Sequence, residues 1–408
     1  MTNLLWPGDD RAGRLMTDQA LLQSMVAVES AWLGALATAG LAPADCAGAD
    51  LWHLLSRRDC ELLAVTAEDG GNPVIGLVSL LRERAMPAIA PWIHRGLTSQ
   101  DVLDTSLMLG LRDVVDRVIS ILAEQISTLS ALVSTHRTTP MVARTLSQHA
   151  APTTFGAKAA GWLDGVVDAY RQMNALAIPA QLGGAVGIWS ATTELAALLT
   201  GAANPAAVAE HVARSAAATL GLDFRAPWHT TRNPITTAAD ALVGCTDCWG
   251  RIASDVVTLA RPEIAELSEP ATEKRGGSSS MPHKRNPVLS ILIRRAAISA
   301  PHLAAILHSA AALAHDERPD GSWHAEWDTL RVLARRTVVA GSQCAELLGG
   351  LQVHTDKMAE NLSGSDVLGE QRAIADLADS APSPTYFGAV DRLIDESLQG
   401  ARRALGGR

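Results

Sequence analysis

Apolar residues recur along this chain with a helical period over long stretches. Leu21, Leu22, Met25, Val28, Trp32 and Leu36 mark one face of a helix predicted over 17–39, which Gly40 and Pro43 should end. Shorter helical pieces are predicted at 49–64 and 74–86. The clearest pattern covers 105–134, where Leu111, Val114, Val115, Val118, Leu122, Ile126, Leu129 and Val133 keep a 3.6 period while Arg112, Asp113, Asp116, Arg117 and Glu124 face away. Such a helix spans roughly 45 Å and belongs to a bundle or an oligomer core. Further helices are expected to about 175, opened by Pro152, and at 236–260, 288–314 and 324–348, with Pro301 kinking the third. From about 350 the pattern weakens, and Ser380–Thr385 looks like a splice between helices.

The predicted fold is therefore all-α. Residues 1–95 form an N-terminal helical domain, 96–345 a central long-helix bundle, and 346–408 a short helical C-terminal segment.

Composition agrees: the chain is 48% hydrophobic but only 4% aromatic, so its core must be aliphatic and Ala-rich. A net charge of −9 argues against nucleic acid or an anionic membrane as partner, so an anionic substrate needs a local basic pocket. Five cysteines without a paired framework point to reduced thiols and a cytoplasmic setting. Cys245 and Cys248 form an isolated Cys-x-x-Cys, read either as a redox or zinc site or as buried helix thiols, the plainer choice. No signal peptide or membrane-spanning run is expected.

Three polar stretches interrupt the helices. In Gly276-Gly277-Ser278-Ser279-Ser280-Met281-Pro282-His283-Lys284-Arg285-Asn286-Pro287, glycines and serines make a backbone able to change shape, and a cation and an amide follow. A hydroxyl at one end and an anion clamp at the other read as an active-site lid. His94-Arg95-Gly96-Leu97-Thr98-Ser99-Gln100-Asp101 offers a helix start with hydroxyls. It is either an ordinary capping box or a carboxylate site. Arg144-Thr145-Leu146-Ser147-Gln148 is the third. Gln181–Gly187 adds a glycine-rich turn, and Trp228-His229-Thr230-Thr231-Arg232 another basic cluster.

The lid stretch resembles the signature loop of the fumarase/aspartase superfamily, Gly-Ser-Ser-x-Met-Pro-x-Lys-x-Asn, with every fixed position present. The Thr98 and Arg144 stretches resemble two further segments of that family. The resemblance implies an enzyme that makes or breaks a bond β to a carboxylate on a small polycarboxylate, with no metal and no cofactor. It implies a homotetramer with a twenty-helix core, whose active sites draw the three segments from different subunits. Ser278 maps to the base. Lys284 and Asn286 map to the clamp on the aci-carboxylate, whose charge develops near the transition state. Thr98, Ser99, Arg144, Thr145 and Gln148 map to substrate-binding positions, together with Ser279 and Met281. Arg232 stands where relatives place a carboxylate-binding arginine, or is simply one more arginine. His94 is either a substrate contact or a structural anchor, and His283 positions the lid.

Departures from the family pattern narrow the activity. Leu146 stands where fumarate-releasing lyases carry an acid histidine, and Ile291 where the glutamate that holds it stands. A further histidine of adenylosuccinate lyases maps near Asn72-Pro73 and is missing. A leaving group that departs as an anion needs no such acid. The resemblance therefore points to the 3-carboxy-cis,cis-muconate cycloisomerase branch. A fumarate-releasing lyase with another acid, or a catalytically inactive structural homologue, are the alternatives.

Overall fold

In a computed structural model, which describes residues 3–270, 275–277, 280–281 and 284–406, the chain is all-α as expected. The helices among the described residues are α1 (Asp18–Thr38), α2 (Arg57–Gly70), α3 (Val74–Arg84), α4 (Ser99–Thr135), α5 (Phe155–Asn174), α6 (Ser190–Thr200), α7 (Pro205–Thr219), α8 (Asn233–Leu259), α9 (Val288–Ala312), α10 (Gly321–Gly349), α11 (Thr355–Ser363), α12 (Gly369–Leu377) and α13 (Val390–Gly406). Two small antiparallel pairs accompany them, β1 (Pro140–Thr145) with β2 (Gln148–Thr154) and β3 (Leu267–Ser268) with β4 (Gln352–Val353).

Local chemistry sets the helix ends. The Thr17 side chain accepts from Ala20 N at 3.3 Å and starts α1, and Gly40, at φ +71°, lies past its end. The helix expected at 49–64 begins later. Ser56 and Asp59 form a capping box, and only a 3-10 turn, Trp52–Leu54, precedes it. The long helix starts at Ser99 rather than 105, because Asp101 binds Thr98 N at 3.0 Å and caps it. Pro152 does not open a helix. It lies in β2, and Thr154 caps α5 by accepting from Ala157 N at 3.1 Å. Pro301 stands inside α9, which continues through it.

The chain divides into two compact units, each built from three stretches. Unit 1 comprises Met1–Asp116, Leu176–Asp240 and His302–Arg335; unit 2 comprises Arg117–Ala175, Ala241–Pro301 and Arg336–Arg408. In unit 1, Trp32, Leu36, Leu77, Leu81, Ala213 and Trp228 are buried. Each large apolar side chain so buried contributes about 1.5–3 kcal/mol. In unit 2, Phe155 stacks edge-on between His136 and Trp162. Buried Gln125 ties α8 to α10 by accepting from Trp249 Nε1 at 2.7 Å and donating to Gly341 O at 3.0 Å. Helix α13 packs along α5, where Ser397 Oγ donates to Asp164 at 3.0 Å.

Contrary to expectation, α1, α4 and α9 are long and apolar enough to cross a membrane by length and composition alone. Over half of the most apolar window of α1 is buried inside the protein. Cys245 and Cys248 are unpaired thiols whose pKa values are raised by burial, the plainer of the two readings of that motif. Among the described residues no cluster of His, Cys, Asp or Glu is suited to hold a metal ion.

Candidate active site

In unit 1 the polar stretches converge on Asp101. This buried carboxylate accepts from Thr98 N at 3.0 Å, from Gly183 N and Gly184 N at 2.8 Å each, and meets His229 Nε2 at 3.0 Å. The start of α4, the glycine-rich turn and the Trp228–Arg232 segment are thus tied to one carboxylate. Gly184, at φ +75°, lets its backbone approach Gly96 O, which an added Cβ would meet at 3.0 Å. Thr98 precedes Ser99, the first residue of α4, and its N–H donates to Asp101, so the capping reading of the stretch is the one seen.

Sequence reasoning missed Arg318, in the loop before α10. Its Nη2 donates to Thr98 Oγ1 and, at 3.0 Å, to Ala185 O. A guanidinium is therefore delivered to the hydroxyl expected to bind carboxylate. Within His-Asp-Glu-Arg-Pro-Asp it reads as loop surface, and nothing in its spacing gave it away.

Arg232 is used differently from the expectation. It is 2% exposed, and its guanidinium meets Asp104 at 2.7 and 3.1 Å and Glu326 at 2.5 to 3.1 Å. Trp323 Nε1 donates to Asp104 at 2.9 Å, and the Trp228 ring lies 4.7 Å from the Arg232 guanidinium carbon. Burial draws the Arg232 pKa down, but Asp104 and Glu326 outweigh it and hold it above its ordinary value. Burial pushes the Glu326 carboxyl up against the opposing pull of Arg232. One cation here serves two buried carboxylates, so the group binds the protein to itself rather than a substrate carboxylate.

Unit 2 holds the other two segments. Arg144, Thr145 and Gln148 lie on the β1–β2 hairpin, with Arg144 opposite His149 and Thr145 opposite Gln148. Leu146 and Ser147 make the turn at φ +49° and +67°, and Leu146 is 98% exposed. Neither residue is the Asn or Gly that announces such a turn, so the hairpin was not legible. Arg144 binds Glu266 through both terminal nitrogens, and Asn361 Nδ2 donates to the same carboxylate at 2.8 Å. His149, also unforeseen, meets Ser365 Oγ at 2.6 Å.

The lid stretch is tied at its base. Asn286 donates to Gly276 O from its backbone N at 2.8 Å and from Nδ2 at 3.2 Å, and Gly276 takes φ +80° there. Arg275 pairs with Glu346 at 2.5 Å. Glu269 caps α9 from outside the helix, accepting from Leu289 N at 3.0 Å and Ser290 N at 2.7 Å. A cavity of about 680 Å³ is lined by Ser268, Glu269, Arg275, Gly276, Arg285 and Asn286. Lys284 and Met281 are exposed. Ser278, Ser279 and His283 lie outside the described residues.

The candidate residues thus fall into two groups. His94, Thr98, Ser99 and Arg232 belong to unit 1, and Arg144, Thr145, Gln148, Met281, Lys284 and Asn286 to unit 2.

The chain matches a family described as lyase over residues 60–301. A nitrosuccinate lyase from Streptomyces davaonensis is 42% identical over 88% of this chain and 76% of the relative. A 3-carboxy-cis,cis-muconate cycloisomerase from Bradyrhizobium diazoefficiens is 38% identical over 85% of this chain and 76% of the relative. The crystal structure of 3-carboxy-cis,cis-muconate lactonizing enzyme from Pseudomonas putida superposes with a TM-score of 0.80 at 32% identity, covering 97% of this chain and 86% of that one.

Proposed function

The chain belongs to the fumarase/aspartase superfamily of lyases, and from that premise we propose that it removes a proton and a stable anion from adjacent carbons of a small dicarboxylate. Nitrosuccinate is the substrate best supported. Its C3–H bond breaks as nitrite leaves C2, and the electrons of the C–H bond form the double bond of fumarate. Ser278 takes the proton once lid closure has activated its oxygen. Lys284 and Asn286 hold the charge that develops on the adjoining carboxylate. Thr98 and Ser99 hold the other carboxylate at the start of α4, with Arg318 beside them. Arg144, Thr145 and Gln148 complete the binding surface, and the site is assembled from several subunits of a homotetramer. The cytosol suits its five free cysteines.

The observation that carries this reading is the apolar pair Leu146 and Ile291. An amine leaving group needs a proton donor, whereas nitrite departs as the anion of an acid and needs none. The relative 42% identical to this chain is named for the same substrate. Purified protein given nitrosuccinate without added metal or cofactor should release nitrite and fumarate in equal amounts. Absence of nitrite would overturn the reading.

A second reading is lactonisation of 3-carboxy-cis,cis-muconate, supported by the relative at 38% identity and the structure at TM-score 0.80. Its leaving group in the reverse direction is a carboxylate with a pKa of about 4, which likewise needs no acid. Loss of muconate absorbance without nitrite chemistry would favour it. Release of fumarate from adenylosuccinate or argininosuccinate would count against both.

A further inference from the structure

The loop at residues 93–96 is fixed from several sides. Ile93 O accepts from Arg82 Nη2 at 2.8 Å and Nε at 3.3 Å, which ties it to α3. Arg95 O accepts from Trp32 Nε1 at 2.7 Å, which ties it to α1. Gly96, at φ +84°, packs so closely on α6 that an added Cβ would stand 2.4 Å from Thr192 Oγ1. Between these anchors His94 takes φ +62°, a left-handed conformation that costs a residue with a side chain roughly 1–3 kcal/mol. Strain held from three sides, four residues before the cap of α4, calls for a purpose.

The anchored backbone sets the imidazole against Glu29. His94 Nδ1 lies 2.6 Å from Glu29 Oε1. The Glu29 side chain is fully buried on α1, as are Met25, Val26, Trp32 and Leu33 of the same helix, and among the described residues its Oε2 has no hydrogen-bond partner. A carboxylate is acceptor-only, so the bond requires the proton to sit on Nδ1. The ring is 17% exposed, and among the described residues Nε2 has no protein partner.

We propose that Glu29 is a positioning residue: it accepts the Nδ1–H hydrogen bond of His94 and so aims Nε2 at a substrate carboxylate beside Thr98, to which the doubly protonated ring donates through Nε2–H. The proposal rests on reading the Thr98 segment as a carboxylate site. The bond to Glu29 makes one ring orientation the resting state, so binding need not select it from a mixture.

Three variants test it in the full-length protein. Glu29→Leu keeps the volume and removes the acceptor, and should raise KM for nitrosuccinate about tenfold while kcat changes less than about twofold. Glu29→Gln retains a carbonyl oxygen able to accept from Nδ1 and should restore most of the loss. In a His94→Asn background, Glu29→Leu should add almost nothing, since the two act as one unit. A fold effect alone would lower thermal stability without this rescue pattern. Succinate binding by calorimetry separates the proposal from the substrate assignment, because it needs no turnover. If nitrosuccinate is not consumed but Glu29→Leu weakens succinate binding about tenfold, the substrate reading fails and this one stands. Unchanged KM and succinate affinity in Glu29→Leu would overturn it, as would a Glu29→Gln variant as impaired as Glu29→Leu. Failure of succinate to bind the wild type would overturn it too, because no carboxylate would then sit at this loop.

Discussion

Arg144 and Glu266 face each other through two N–H···O bonds of 2.9 and 2.8 Å, and the Glu266 side chain is fully buried. Arg144→Ala strands that carboxylate, and breaking a buried pair costs about 3–5 kcal/mol. The expected outcome is a clear drop in urea midpoint, much of it regained in an Arg144→Ala/Glu266→Leu double variant. A single variant as stable as the wild type would mean the pair holds nothing.

Ser278→Ala should lower kcat by about a thousandfold or more while leaving the melting temperature nearly unchanged. Loss of a proton-transfer group has that scale, and one hydroxyl in a lid contributes little packing. Near-normal turnover would move the base elsewhere, with Ser279 next in line.

Leu146→His supplies a donor that the proposed reaction does not use. Nitrite release should be no faster in the variant than in the wild type, in progress curves run side by side. A severalfold gain would show that an acid had been missing.

Helix α9 exposes Ile291, Ile298 and Ile306, at 48, 67 and 44%. This row of apolar residues along one helix suits an interface between copies of the chain. Sedimentation should find a tetramer, and Ile298→Glu should give smaller, inactive species. A fully active monomer in either sample would end the tetramer proposal.

Asp59 caps α2 and binds Arg84 at 2.8 and 2.9 Å, and hydrogen bonding to Arg84 is the main force holding its pKa below the ordinary carboxylate range. A depressed carboxyl stabilises the fold above its ordinary pKa, and this contribution is lost as pH falls through the folded value. Asp59→Asn should therefore cost about 1–2 kcal/mol at neutral pH, the scale of a lost cap. The gap to the wild type should narrow in acid; one that stays constant with pH would assign the loss to packing instead.

The long helices were legible because their apolar periods are unbroken over many turns, as in the stretch from Leu111 to Val133. The stretch at 276–287 stood out because small, polar and cationic residues cluster there against an apolar background. The capped start of α4 could be read from Thr98 and Asp101 three residues apart. What escaped was set by partners distant in sequence. Asp101 as the hub of three segments, Glu266 behind Arg144 and Arg318 at Thr98 are pairings across many residues that no local pattern announces. Arg232 illustrates the converse: its position invited a ligand role, and only the placement of Asp104 and Glu326 revealed two carboxylates already bound to it.

The turn at Leu146 and Ser147 has a consequence in genetic terms. Both residues adopt left-handed backbone, which histidine, asparagine and aspartate tolerate better than leucine does. Leucine and histidine codons differ by a single base. A histidine at this exposed tip would therefore arise by one common mutation and sit more comfortably than the residue it replaces. The backbone at this tip is thus no barrier to a histidine, whereas the position of Ile291 would need a second, separate change. A lineage carrying this hairpin can therefore try a histidine at its tip without rebuilding the turn.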